Sequence, residues 1–207
     1  MKADFNVYNI EENPAAGTCI LTGIPEITNP NLIIPNNVIL IARRLEIDDK
    51  NRNKIESITI PPSVRIIEKK AFMGCKNLKS VKIEGSYIEF DEAAFFNCTE
   101  LDSITLPERI GLLGDCAFEN CKKLKNIILP ANIENIGCFV FNGIEDINII
   151  YKGSKEELLK INGGKKFLEF YPQIHAKEDL TLDDLIDMGK SYGEINKILK
   201  GELELWT

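Results

Sequence analysis

The sequence has very little of what catalytic sites are built from. Its 207 residues include a single histidine, His175, and no cysteine or serine stands close enough to it in the chain to be its nucleophilic partner. Neither of the glycine-rich phosphate-binding motifs, Gly-x-Gly-x-x-Gly and Gly-x-x-x-x-Gly-Lys-Ser/Thr, occurs. We therefore predict a protein that is not an enzyme and that holds no cofactor.

The cysteines are also too few and too widely spaced for a metal site or a disulfide scaffold. Six are present, and none forms a Cys-x-x-Cys pair. Three of them, Cys75, Cys98 and Cys121, follow one another at a constant interval, and Ile144 stands at the next such place. Because isoleucine replaces cysteine there, we expect small buried side chains with free thiols.

Long apolar runs and excess positive charge are absent as well. No run approaches the roughly 18 apolar residues of a membrane span, and the N-terminal segment MKADFNVYNIEENPAAG lacks the apolar core of a signal peptide. A net charge of -7 argues against a nucleic-acid or anionic-membrane partner, because phosphate binding requires an excess of lysine and arginine. We expect a cytoplasmic protein, or a secreted or cell-surface one if a signal peptide has been removed.

Repetition is what the sequence has in abundance. The segments AFMGC, AAFFNC and CAFENC place Ala71, Ala94 and Ala117 at the same constant interval as the cysteines. A fixed period of about 20 to 50 residues indicates stacked repeats. Apolar columns keep this register through four copies, and four of the columns are Ile58, Val81, Ile104, Ile127; Ile60, Ile83, Leu106, Leu129; Val64, Tyr87, Ile110, Ile133; and Phe72, Phe95, Phe118, Phe141.

The residue pattern within each repeat predicts one short strand and one tight turn. In the pattern Leu-x-x-Ile-x-Leu the last two apolar residues are two apart, so both point inward from a strand. The Ala-Phe-x-x-Cys segment is expected to form one helical or 3₁₀ turn, with the small alanine allowing close backbone approach. Stacked units of this kind predict an α+β repeat solenoid.

The two ends of the chain differ from the repeats. Residues 5–34 predict a β-hairpin, and the segment from Leu32 to Val38 imitates a degenerate first repeat. Ser154 and Glu157 form a capping box that opens a helix, which Gly163 and Gly164 end. Further helices are expected near 181–189 and 191–201. We therefore expect an N-terminal β cap over residues 1–54, repeats over 55–153 and a C-terminal helical cap over 154–207.

The repeat units resemble a known family. LKSVKI, ITLPERIGLLGDCAFENCKKLKNIILP and NIENIGCFVF are similar to the BspA-like leucine-rich repeat, a 23-residue class of bacterial and protist surface proteins. The resemblance covers about residues 30–155. It implies a right-handed solenoid that carries a ligand-binding or adhesive surface, often for host extracellular proteins, and no catalysis.

Three functions follow from these observations. The first is a non-catalytic protein-interaction module with a protein partner of unknown identity, and the second is a fragment of a secreted or cell-surface adhesin. The third is a DNA-binding regulator, because MGKSYGEINKILK resembles the first helices of a helix-turn-helix motif. Only GELELWT follows that segment, so the basic recognition helix of such a motif is missing.

The outward positions of the repeat strands give the candidate binding residues. Polarity falls toward the C-terminal end of this face, where we expect Ile128, Ile149 and Tyr151 to form an exposed apolar patch. Such a patch is either a binding site or a surface covered by the aromatic segment from Phe167 to Tyr171. The predicted partner-binding residues are Ser80, Lys82, Ser103, Thr105, Asn126, Ile128, Ile149 and Tyr151.

The register at the end of this face has an alternative. Lys152 falls in the column of Ile60, Ile83, Leu106 and Leu129, where an apolar residue is expected. A one-residue bulge would remove the conflict, and it would turn Ile149 and Tyr151 inward.

Overall fold

The computed structural model describes residues 7–13 and 18–176, which form a stack of turns around one continuous apolar core. Most of each turn is strand or hydrogen-bonded turn, and the helices of the described residues are short. In chain order the elements are β1 (Val7–Asn13), β2 (Thr18–Glu26), β3 (Asn31–Ile33), β4 (Val38–Glu46), α1 (Asp49–Arg52), β5 (Ser57–Ile60), β6 (Ile66–Ile67), β7 (Ser80–Ile83), β8 (Tyr87–Phe90), β9 (Ser103–Thr105), β10 (Arg109–Leu113), β11 (Asn126–Leu129), β12 (Asn132–Ile133), β13 (Asn148–Tyr151), α2 (Lys155–Lys160), α3 (Gly164–Phe170) and β14 (His175–Ala176).

The strands line two sides of the stack, and we name each side. The first, which we call the strand face, contains a four-stranded sheet in the order β3-β5-β7-β9 and a three-stranded sheet in the order β11-β13-β14. The second, which we call the long sheet, has seven strands in the order β1-β2-β4-β6-β8-β10-β12. Successive repeats pair in parallel, as stacking of identical units requires.

Alternation along each strand sends one set of side chains into the core. In β5, Ile58 and Ile60 are buried while Ser57 and Thr59 are partly exposed. The same alternation holds in β7, where Val81 and Ile83 point inward. The predicted strand pattern is therefore confirmed for these repeats.

The third side of the stack, which we call the turn corner, is built from the Ala-Phe-x-x-Cys segments. Bonds from Ala94 N to Asp91 O (3.2 Å) and from Cys98 N to Phe95 O (3.3 Å) close successive turns. These turns do not merge into a helix because Ala93 and Asn97 have φ of 57° and 61°, in the left-handed region. The predicted helical turn is thus a pair of separate turns.

Stacked phenylalanine rings fill the core beneath the turn corner. The ring centroids of Phe72 and Phe95 lie 5.3 Å apart, those of Phe95 and Phe118 5.5 Å, and those of Phe118 and Phe141 6.0 Å. All four side chains are buried. The predicted phenylalanine column is therefore one continuous stack across four repeats.

One column was assigned in the wrong register. Tyr87 was expected to point inward with Ile110, but the structure pairs Ile110 with Ile88 and leaves Tyr87 opposite Arg109. A register shift in β10 between Ile110 and Leu112 absorbs the extra residue. Tyr87 instead lies at the surface, with the Arg109 guanidinium 5.5 Å from the centre of its ring.

The N-terminal end follows the predicted order of elements. Strands β1 and β2 pair in antiparallel fashion, and β2 then pairs in parallel with β4. Strand β3 pairs in parallel with β5, and Leu32 lies opposite Ile58, which is the arrangement expected of a degenerate first repeat. Helix α1 occupies the stretch between β4 and β5, where the repeat period is broken.

Two short helices follow the last repeat strand. Ser154 and Glu157 form both bonds of the predicted capping box at the start of α2. Gly163, with φ of 85°, connects α2 to α3, and a Cβ there would collide with the carbonyl oxygen of Ile136. The predicted helices near 181–189 and 191–201 lie outside the described residues. Within the described residues, no helix is long and apolar enough to cross a membrane.

The phenylalanine stack predicts a large difference between two neighbouring aromatic residues. Phe118→Ala should lower the free energy of unfolding by about 3 to 5 kcal/mol, because rings above and below keep its cavity from collapsing. Phe96→Ala should cost much less, since Phe96 is only partly buried. Denaturant melts of the two variants measure this difference, and equal losses would show that the core register is wrong.

The buried cysteines give a second prediction. Cys75, Cys98 and Cys121 are free and fully buried, and burial raises the pKa of the Cys98 thiol. We expect an alkylating reagent to modify these three only after unfolding, because burial denies the reagent access to the sulfur atoms.

Partly exposed Cys116 provides an internal comparison for that experiment. Burial and the neighbouring Glu119 raise its pKa to about 12. Its alkylation in the folded protein should therefore accelerate about tenfold for each pH unit between neutral pH and the pKa. Peptide mass spectrometry reads out each site, and rapid native labelling of Cys98 would contradict its buried position.

Candidate functional site

Six of the predicted binding residues occupy the positions on the strand face where they were expected. Ser80 pairs with Ser103 and Lys82 with Thr105, so their side chains lie in two outward ladders. Asn126 and Ile128 hold the matching positions of β11, whose inward residues are Ile127 and Leu129. The Lys82 ammonium lies 2.7 Å from the Glu84 carboxylate and stays largely exposed.

The other two predicted residues, Ile149 and Tyr151, point into the core instead. The structure pairs Ile149 with Ile127 and Tyr151 with Leu129, and both side chains are fully buried. The interval from Ile127 to its partner Ile149 is one residue shorter than the interval between equivalent positions of the earlier repeats. A shift of one residue exchanges the two faces of a strand, so Ile149 and Tyr151 point inward. Burial raises the pKa of Tyr151 to about 12, and its hydroxyl donates to Ala131 O at 3.2 Å.

The aromatic segment after the repeats does not cover the predicted patch. Phe167 and Tyr171 place their ring centroids 6.4 and 5.9 Å from that of Phe141, and Phe170 lies 4.5 Å from Phe139. The segment therefore packs on the last phenylalanine of the core stack. Ile128 keeps 37% of its surface exposed.

The strand face is interrupted next to Ile128. β9 and β11 belong to different sheets, and within the described residues no backbone hydrogen bond joins 102–106 to 125–130. The same two turns remain bonded on the other sides of the stack. β10 pairs with β12 in the long sheet, and Phe118 N donates to Val140 O at 2.9 Å in the turn corner.

One backbone bond is impossible at this interruption, although the equivalent bond is also missing between β7 and β9, which still pair. The amide of Glu84 donates to Ile60 O, and that of Lys152 donates to Leu129 O, both at 2.9 Å. Pro130 holds the equivalent position opposite Leu106 and has no N–H to donate. At the other end of the strands, Asp102 N bonds to Lys79 O, but no matching bond forms from Lys125 N to Asp102 O.

The gap opens a cleft of about 360 Å³. Its walls combine apolar side chains with the short polar groups of the strands. The lining residues are Asp102, Ser103, Ile104, Thr105, Leu106, Pro107, Asn126, Ile128, Pro130 and Lys152. Four of the predicted binding residues, Ser103, Thr105, Asn126 and Ile128, therefore meet at one place.

The cleft also exposes two residues that sequence reasoning assigned to the core. Ile104 and Leu106 are only partly buried, whereas their column mates Val81, Ile127 and Leu129 are almost fully buried. Their exposure follows from the missing contact with β11 on one side. Because both residues match their columns in sequence, the apolar pattern did not mark their exposure.

One acidic and one basic residue line the cleft, and the basic one is paired with a further carboxylate. Lys152 Nζ lies 3.6 Å from Glu108 Oε1 at one end, and Asp102 lines the other end. Within the described residues, no group of three histidine, cysteine, aspartate or glutamate side chains is arranged to hold a metal ion. What the cleft offers a ligand is apolar contact and backbone hydrogen bonding.

Known proteins share this repeat architecture. The family model for the BspA type leucine rich repeat region matches residues 50–161 in six copies. The crystal structure of a leucine rich repeat protein from T. pallidum is 20% identical and superposes with a TM-score of 0.61, covering 72% of this chain and 70% of that one. No curated protein matches the sequence.

A second solved structure extends the comparison. A leucine rich cell surface protein from Faecalibacterium prausnitzii is 18% identical, with a TM-score of 0.60. The alignment covers 84% of this chain but only 42% of that protein. Both likenesses support a leucine-rich-repeat fold with many strands and few helices.

Two substitutions separate the buried from the exposed positions of the predicted patch. Tyr151→Asp should lower the free energy of unfolding by about 3 kcal/mol or more, because it places a carboxylate in the core. Ile128→Asp should change it little, because the new side chain remains in water. Thermal or denaturant melts measure both, and an unchanged melt for Tyr151→Asp would contradict the inward register of β13.

Proposed function

Because the chain belongs to the BspA-type leucine-rich-repeat family, we propose that it is a non-catalytic protein-interaction module that binds its partner on the strand face. Leucine-rich-repeat proteins generally act by binding rather than by catalysis. The location of this binding site is inferred from the interruption between β9 and β11, because Ser103, Thr105, Asn126 and Ile128 lie around the one cleft that it opens.

The polar residues of the face suit a protein partner. Ser80, Ser103 and Thr105 present short hydroxyl groups in ladders, and Lys82 adds a largely exposed positive charge. Protein interfaces combine such polar rims with an apolar centre. Ile128 and the uncovered Ile104 and Leu106 supply that centre.

We also propose that the three predicted segments of the chain have different roles in this function. In this division residues 55–153 present the binding face, and residues 1–54 and 154–207 are the two end segments, whose described parts, 7–13, 18–54 and 154–176, cover the ends of the core. Pairing of β2 with β4 and packing of Phe167 on Phe141 support this role for the two ends. Covering is needed because the end turns of a stack otherwise expose apolar side chains and strand edges.

A cell-surface adhesin is the alternative setting for the same activity. The Faecalibacterium prausnitzii protein with a similar fold is described as a cell surface protein, which favours this alternative over the cytoplasmic one. The binding face would be the same in either setting, with a host extracellular protein in place of an intracellular partner.

Affinity capture with a matched pair of variants tests the proposal. The full chain is used to capture proteins from lysate and medium of the source organism and from a mixture of host extracellular proteins, and the captured proteins are quantified by mass spectrometry. Thr105→Arg, on the exposed side of β9, should reduce capture of specific partners about tenfold or more. Asn132→Arg, on the exposed side of β12 in the long sheet, should leave capture unchanged. Equal effects of the two substitutions, or no specific capture by the unmodified protein, would contradict binding by the strand face.

A further inference from the structure

The cleft between β9 and β11 exposes core side chains in a chain that otherwise buries them. Ile104 and Leu106 stand in columns whose other members, among them Ile58 and Leu129, are buried against a neighbouring turn. The neighbouring turn is present here but stands away on this side. An apolar group placed in the cleft would restore the contacts that the equivalent side chains make in the other repeats.

The backbone at the edges of the cleft also lacks its usual partners. Leu106 O receives no bond of the kind that Glu84 N gives Ile60 O at 2.9 Å. Lys125 N makes no bond of the kind that Asp102 N makes to Lys79 O at 3.0 Å. The cleft therefore carries an acceptor at one end and a donor at the other, within the described part of the chain. A ligand that offered only apolar surface would leave both groups unsatisfied.

The charge and size of the cleft narrow the ligand class further. The charged residues that line the cleft are one aspartate, Asp102, and one lysine, Lys152, so a strongly charged ligand gains little advantage. The volume of about 360 Å³ is at the low end of the range for pockets that enclose small ligands. It is sufficient for an anchoring side chain and the peptide groups beside it.

We propose that this cleft binds an extended segment of a partner protein through one apolar side chain, branched or aromatic, that packs against Ile104, Leu106 and Ile128. A peptide is the ligand that supplies an apolar side chain together with N–H and C=O groups in one chain. The inference rests on the proposed function and specifies how the partner is anchored.

The strand face offers a matched internal control for this site. Ile33 occupies the same outward position in β3 as Thr105 does in β9 and Ile128 in β11, and it is 64% exposed. It lies three strands from the cleft, beyond β5 and β7. Ile33→Asp and Ile128→Asp therefore introduce the same charge on the same face at two places, and melts of both variants should match the unmodified protein.

Short random peptides displayed on phage are selected for binding to the immobilised full chain. The selected peptides are then synthesised with a fluorescent label, and their affinity for the chain is measured by fluorescence anisotropy. We expect selected sequences to share one apolar residue. Ile128→Asp should weaken their binding about tenfold or more, while Ile33→Asp should leave it unchanged. Failure to select any peptide, or equal weakening by the two substitutions, would overturn the inference.

Three further outcomes distinguish this inference from the proposed function. Peptides that lose binding with Lys82→Glu, a strand-face position that does not line the cleft, but not with Ile128→Asp would place the partner on the strand face outside the cleft, which overturns the inference and leaves the proposed function standing. Displacement of the probe by a synthetic peptide of residues 177–207 would identify the chain's own C-terminal segment as the occupant and overturn the assignment to a partner. A dimer that Ile128→Asp converts to a monomer in light scattering would identify a second copy instead, with the same consequence.

Discussion

The lateral contact between successive turns is the constraint on which the rest of this structure depends. One turn of about 23 residues cannot enclose an apolar core, so each turn buries its isoleucine, leucine and phenylalanine residues only against the next one. Three sets of backbone bonds hold that contact: the strand face, the long sheet and the turn corner. The backbone bonds between neighbouring turns in these three places therefore determine where the side chains of the strand face lie.

That constraint explains which parts of the fold the sequence could predict. The phenylalanine column was predicted correctly because the ring of Phe118 stacks directly on the rings of Phe95 and Phe141 at the repeat period. The left-handed positions were also readable in the sequence, although they were overlooked. Gly74, Asn97, Asn120 and Gly143 recur at the repeat period, all have positive φ, and glycine and asparagine are the residues that adopt it most readily.

The register errors have a different cause, since apolar residues were available in both alternatives. Tyr87 is followed by Ile88, and Ile149 by Ile150 and Tyr151, so apolar residues were available in both registers. For β13 only Lys152 indicated the inward alternative, and the structure has Ile149 and Tyr151 inward. The backbone pairing with the neighbouring strand decides which residues point inward, and a single added or missing residue reverses the faces. The cleft was hidden for a similar reason. Ile104 and Leu106 match their columns in sequence, and their exposure depends on a sheet that does not close.

The cleft lies where the stack can open without losing its other contacts. A stack bonded on three sides can lose the bonds on one side locally and still keep its turns together through the other two. Between β9 and β11 the long sheet and the phenylalanine stack both continue, through the pairing of β10 with β12 and the contact of Phe118 with Phe141. The core of the stack therefore does not depend on the side that opens. Apolar surface can be left accessible there at a cost limited to one strand pairing, which makes an interrupted ladder a suitable place for a repeat protein to bind a ligand.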